Sequence, residues 1–96
     1  MGRTEVPAGT GMVFRYDEPL TGPSFYMFQV PVPLTAVFVR DGTVVHVAQM
    51  EPCREADPLD CPQYGPDGEF DTVVETAPAT LRGVGVGDRL ELRPAT

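Results

Sequence analysis

The chain has 96 residues, 11 of them proline and 10 glycine, and a formal net charge of −7. That length predicts one domain over 1–96, with only about 60–65% of its unfolded surface buried and a modest core. The acidic balance argues against nucleic acid as a partner, because phosphate binding needs a basic patch, and no apolar run approaches the about 18 residues of a membrane span.

In chain order, residues 1–9 are polar and turn-prone, with Pro7 and Gly9, and are expected as a loop or a disordered start. Residues 11–16 (GMVFRY) predict a short strand, with Met12 and Phe14 alternating against Val13 and Arg15. Residues 17–23 (DEPLTGP) predict a turn. Residues 24–29 predict a further strand, with Phe25 and Met27 on one face and Tyr26 and Phe28 on the other. Pro31 and Pro33 then forbid regular pairing, so residues 30–33 are a bend or an edge crossing.

The centre of the chain is clearer. Leu34–Arg40 (LTAVFVR) and Thr43–Met50 (TVVHVAQM) are rich in β-branched residues that suit a pleated surface. Asp41-Gly42 joins them as a two-residue type I′ turn. That turn places Arg40 opposite Thr43, Val39 opposite Val44, Phe38 opposite Val45 and Val37 opposite His46. One face then carries Leu34, Ala36, Phe38, Val45 and Val47; the other carries Thr35, Val37, Val39, Val44, His46 and Ala48. Both faces are largely apolar, so both are expected to be covered, as in a small barrel or sandwich.

Residues 51–68 are long, acidic and proline-rich; a structureless loop of this length is usually functional or clamped. Glu69–Thr76 (EFDTVVET) is the next strand. Residues 78–83 (PATLRG) predict the one short helix, opened by Pro78 and ended by Gly83 or Gly85. Residues 86–88 turn into a last strand at 89–93. The fold class expected is mostly β, a β-rich α+β single domain of about six strands and one short helix.

The order G-M-x-F, F-Y-M followed by P-L, the Asp-Gly hairpin, M-E-P-C with C-P-x-Y, V-x-E and G-x-x-x-G-D resembles the domain-of-unknown-function 192 family, from Met1 to about Leu92. The resemblance implies a compact, mostly β fold with a short helix, and bacterial members that are often exported; it implies no activity. The sequence departs from the family pattern at Tyr26, where Trp is usual, at Phe28, Gln29 and Val30, where Lys-Asn-Thr is usual, and at Thr35, where Asp is usual. The family also usually carries a strand before the position of this Met1. Its apparent lack implies a misassigned start or a true absence, and an exposed sheet edge through which the chain is expected to form a homodimer.

Candidate sites follow from residue type. Cys53 and Cys61 are eight positions apart, which does not match paired zinc-ligand spacing; a disulfide is preferred over two free thiols and over metal or redox chemistry. His46 is the only histidine and lies on an apolar strand face without a visible nucleophile to activate. Glu51, Glu55, Asp57 and Asp60 lack the calcium-loop pattern and read as a solvated loop. Gly83, Gly85 and Gly87 lack the strand-then-helix context of a dinucleotide site and read as cap and turn. Glu75 ends an apolar strand and reads as a cap or a site carboxylate. Exposed aromatics among Tyr26, Phe28 and Tyr64 would suit stacking on sugar or peptide.

The function expected is a non-enzymatic ligand- or partner-binding module, extracytoplasmic by resemblance, with a pocket near Phe25, Met27, His46 and Glu75. The alternative is a small hydrolase using His46 and Glu75. No metal or cofactor is expected, and the partner is an unidentified small molecule, sugar or protein.

Overall fold

The computed structural model describes residues 3–6, 11–28, 30–78, 80 and 83–92. Six strands form one sheet: β1 (Arg3–Val6), β2 (Met12–Thr21), β3 (Leu34–Arg40), β4 (Thr43–Met50), β5 (Glu69–Thr76) and β6 (Arg89–Leu92). Their order is β1-β6-β4-β3-β5-β2. From β6 to β2 every neighbour is antiparallel, and these five strands curl into a half-barrel. β1 lies parallel to β6 at one edge. The mostly β class read from the sequence is the observed one.

β3 is central, paired to β4 on one side and β5 on the other. Its residues 35–39 are all buried, which is why LTAVFVR reads as a continuous apolar run rather than an alternating one. Val37, Val39, Val44, Val74 and Leu90 pack on one face, with Val47 and Val84 against them. Met27, Ala36, Phe38, Ala48, Met50, Phe70 and Val73 fill the other, with Phe14, Tyr16, Leu20, Phe25 and Tyr64 closing over them. Phe38 and Phe70 meet edge to face at 5.0 Å between ring centroids, and Phe25 approaches Phe38 in the same way at 5.7 Å, a geometry that the ring quadrupoles favour.

The hairpin turn is as expected, with positive φ at both Asp41 (51°) and Gly42 (80°), the condition for type I′. The register beyond it is corrected. Arg40 faces Thr43 and Val39 faces Val44, but β4 then takes an extra residue, so Phe38 faces His46 and Val37 faces Val47. An inserted residue reverses the alternation beyond it. Val47 therefore joins Val37 and Val39, and Ala48 joins Phe38, the reverse of the faces assigned from a regular hairpin.

Other boundaries also differ. Part of the start expected as loop is strand β1. β2 continues through the residues expected as a turn, with three more residues than β5 between Arg15 and Leu20. The segment expected as a strand at 24–29 makes only isolated bridges, Phe25 with Tyr64 and Phe28 with Cys53; prolines at 23, 31 and 33 flank it and keep it from extending into a longer ladder, the chain turns where the Val30 N–H donates to the Met27 carbonyl, and Gln29 lies outside the described residues. The short helix is a 3₁₀ turn at Pro58–Asp60, capped by the Asp57 carboxylate accepting from the Leu59 N–H at 2.9 Å. The helix expected at 78–83 is a turn at Pro78, Thr80 and Gly83, while Ala79, Leu81 and Arg82 lie outside the described residues. Arg93, the expected end of the last strand, lies outside them as well.

Candidate functional site

Two proline-interrupted segments meet along one side of the half-barrel. Residues 24–28 cannot join the sheet, so their backbone bonds go to the long loop instead. Phe25 and Tyr64 exchange N–H to carbonyl bonds at 3.1 and 2.7 Å. The Met27 carbonyl accepts from both the Val30 N–H, at 3.1 Å, and the Cys53 N–H, at 3.3 Å. One carbonyl thus ties together two walls: Phe28, Val30 and Pro31 on one side, Pro52 to Ala56 on the other. Between them lies a groove of about 340 Å³, with Arg54 and Glu55 as its charged members.

The second wall is anchored by the disulfide Cys53–Cys61, whose Cα atoms are 5.8 Å apart. It closes the loop that also carries the 3₁₀ turn, and Leu59 on that turn is 90% exposed. Tyr26, at 47%, and Val32, at 54%, are exposed on the segment of the first wall. Apolar groups in water on both flanking segments set this groove apart from the packed interior.

Of the four residues expected around one pocket, Phe25 and Met27 share a core cluster and His46 lies against Phe38 of that cluster. Met27 is 2% exposed and belongs to the core; it acts on the groove through its backbone carbonyl. Phe25 is half-buried and packs its ring on Phe14, Phe38 and Phe70. His46 is half-buried at the bulge of β4, its ring 5.6 Å from that of Phe38. Glu75 sits on β5, opposite Ala36 of β3 and Met12 of β2. The strand β3 separates Glu75 from His46, a spacing of about 10 Å between strands, and no hydrogen bond joins the two among the described residues.

Glu75 has a different neighbour. Burial pushes its carboxyl above the ordinary glutamate value, because desolvation disfavours the charged form. The Tyr16 hydroxyl is raised as well, first by burial and then by the negative charge of Glu75. The charge of Glu75 is thus felt at Tyr16 of β2, a coupling hidden in the sequence by a separation of 59 positions.

A second polar region surrounds the hairpin turn. Asp71 of β5 accepts from the Asp41 backbone N–H at 3.0 Å and from Arg40 Nη1 at 3.2 Å. These bonds, with that from the Thr72 hydroxyl, hold its carboxyl below the usual aspartate range, the Asp41 N–H contributing most. Arg89 donates to the Asp41 carbonyl at 3.1 Å. Arg15, Asp71 and Thr72 border two adjoining crevices of about 310 and 370 Å³.

The remaining motifs do not assemble sites. Glu51, Glu55, Asp57 and Asp60 are exposed, and among the described residues no group of three metal-ligating side chains converges. Gly85 and Gly87 form the turn before β6: the Asp88 carboxylate accepts from the Gly85 N–H at 2.9 Å, and Gly87 donates to the Val44 carbonyl at 2.8 Å. No helix among the described residues is long and apolar enough to cross a membrane. Sequence reasoning missed Val30, Pro31, Pro52, Arg54 and Ala56 as groove residues; the clamped length of the loop and its prolines were the available signal.

Compared with known proteins, residues 1–92 match the sequence model of the DUF192 family, described as Uncharacterized ACR. No curated protein and no solved structure gives a match.

Proposed function

Starting from a chain that belongs to the DUF192 family, we propose that it is a non-enzymatic binding module that takes its ligand in the groove between Phe28–Val30–Pro31 and Pro52–Ala56. The observation that carries this reading is the pair of hydrogen bonds accepted by the Met27 carbonyl, which ties both walls to the core, together with the disulfide anchored at Cys53 in one of them. A groove held open before its ligand arrives loses little ordering entropy on binding. Its lining of Phe28, two prolines and the Arg54–Glu55 pair suits a small ligand, sugar or peptide segment that offers an apolar face and a few polar groups. Met27 meets this site through its backbone carbonyl.

The hydrolase alternative, with His46 and Glu75 acting together, is disfavoured by the strand between them, since acid–base partners need hydrogen-bond reach or one bridging water. The disulfide supports an oxidising, extracytoplasmic location. Self-association through a sheet edge is supported by β2, which among the described residues pairs only with β5 and exposes Met12 at 58% and Val13 at 40%.

The test is a panel of oligosaccharides and short apolar peptides titrated into the oxidised protein and followed by amide chemical shifts. Binders are expected to move Val30, Cys53, Arg54 and Glu55. Hits that move only residues flanking His46 and Glu75 would overturn the assignment of the groove.

A further inference from the structure

The two cysteines of the disulfide are unequally buried. Cys53 is half-buried and lines the groove, whereas Cys61 is 7% exposed. Cys53 is also pinned through its backbone, by its N–H to Met27 and its bridge to Phe28. Between the two cysteines, residues 54–60 are all exposed, so the intervening loop has no core packing to resist a change in its covalent closure.

We propose that Cys53–Cys61 is a thiol-exchange site, with Cys53 the sulfur that an external cysteine-type thiol attacks and Cys61 the buried sulfur that leaves. The incoming thiolate attacks Cys53 Sγ along the groove. The Cys53–Cys61 bond breaks, a mixed disulfide forms at Cys53, and the electron pair departs on Cys61 Sγ, which takes up a proton. A second thiolate then attacks the external sulfur of the mixed disulfide and releases Cys53 as a thiolate. Two external thiols are thereby oxidised to one disulfide, and two electrons and two protons pass to the cysteine pair; the reverse sequence with an external disulfide restores the bond.

Arg54 lies on the same groove wall as Cys53. A guanidinium there steadies the attacking thiolate and the Cys53 thiolate released in the second step. Glu55 on that wall works in the opposite sense, as do Glu51, Asp57 and Asp60 elsewhere on the loop, so neutral or cationic thiols are favoured over anionic ones. Breaking the bond frees Cys53 from its covalent tie to Cys61, so exchange also loosens the groove.

This inference rests on the groove admitting a molecule from solution, but its probe is glutathione, so failure of exchange is distinct from failure of the ligand panel. The oxidised, folded chain is incubated with reduced glutathione, quenched in acid and mapped by peptide mass. Glutathione is expected on Cys53. In C61S, Cys53 should take up glutathione from glutathione disulfide at least about tenfold faster than Cys61 does in C53S, and R54Q should slow the reaction at Cys53. Glutathione mapped to Cys61, equal rates in the two serine variants, or exchange in the parent chain only where it unfolds would each overturn the proposal.

Discussion

Asp71 on β5 holds the Asp41 turn of the neighbouring hairpin in place: its Oδ2 accepts from the Asp41 backbone N–H at 3.0 Å. The same oxygen accepts from Arg40 Nη1 at 3.2 Å, so one carboxylate serves both the turn and the last residue of β3.

That arrangement has a pH dependence. The folded state holds the Asp71 carboxyl below the ordinary aspartate value of 3.8. Its contribution to stability is therefore fully present above that value and is lost as pH falls through the lower folded value. Asp71→Asn is expected to be less stable than the parent at pH 7, by about 1 kcal/mol. The difference should shrink below pH 3.8. Thermal unfolding of both proteins across pH 2–7 checks it, and a difference that stays constant with pH counts against the bond.

Glu75 gives the opposite sign. Burial raises its folded value above the ordinary 4.5, so the native state binds a proton more tightly than the unfolded chain and stability falls as pH rises through that window. Glu75→Gln is expected to be more stable than the parent at neutral pH, with the advantage disappearing below pH 4.5. The same variant should lower the titration midpoint of Tyr16, read from its ultraviolet absorbance, because the charge of Glu75 helps to raise it.

The turn itself tests the hairpin. Gly42 has φ +80°, and a Cβ there would stand 3.0 Å from the Arg89 guanidinium. Gly42→Val combines left-handed strain with that crowding and is expected to cost on the order of 1–2 kcal/mol or more. Unchanged thermal unfolding would rule out the type I′ geometry.

The disulfide closes a loop with a sequence separation of 8. On the chain-entropy relation, replacing both cysteines by serine should cost roughly 2.5 kcal/mol. Denaturant titration measures the loss. Intact mass after alkylation of folded protein made under oxidising conditions should show no modified thiol; two alkylated cysteines would refute the bridge.

Among the described residues, β2 has no strand partner along its outer edge, beside exposed Met12 and Val13. Pairing of two such edges is expected to give a dimer at high concentration. The net charge of −7 opposes it, so added salt should strengthen association. Sedimentation over a concentration and salt series is the check, and Val13→Glu should shift the population to monomer.

What the sequence by itself determined lies within short stretches. Asp41-Gly42 specifies its turn because only a few residues tolerate positive φ at both central positions. The apolar run of β3 announces a strand covered on both faces, and Cys53 and Cys61 announce a clamp on a loop otherwise without one. Tertiary structure alone decided the rest. The extra residue in β4 that sets Phe38 against His46 depends on how β4 meets β3 and β6 at once. β1 is a strand only through its pairing with β6, and residues 24–28 leave the sheet because the loop around Tyr64 supplies their bonds. The groove exists only where the Met27 carbonyl meets Cys53 from another part of the chain. Glu75 acquires its raised value from burial among groups that no local pattern lists. Each of these outcomes is fixed by competition among long-range partners for a limited set of backbone donors and buried surface, and that competition has no signature within a single segment.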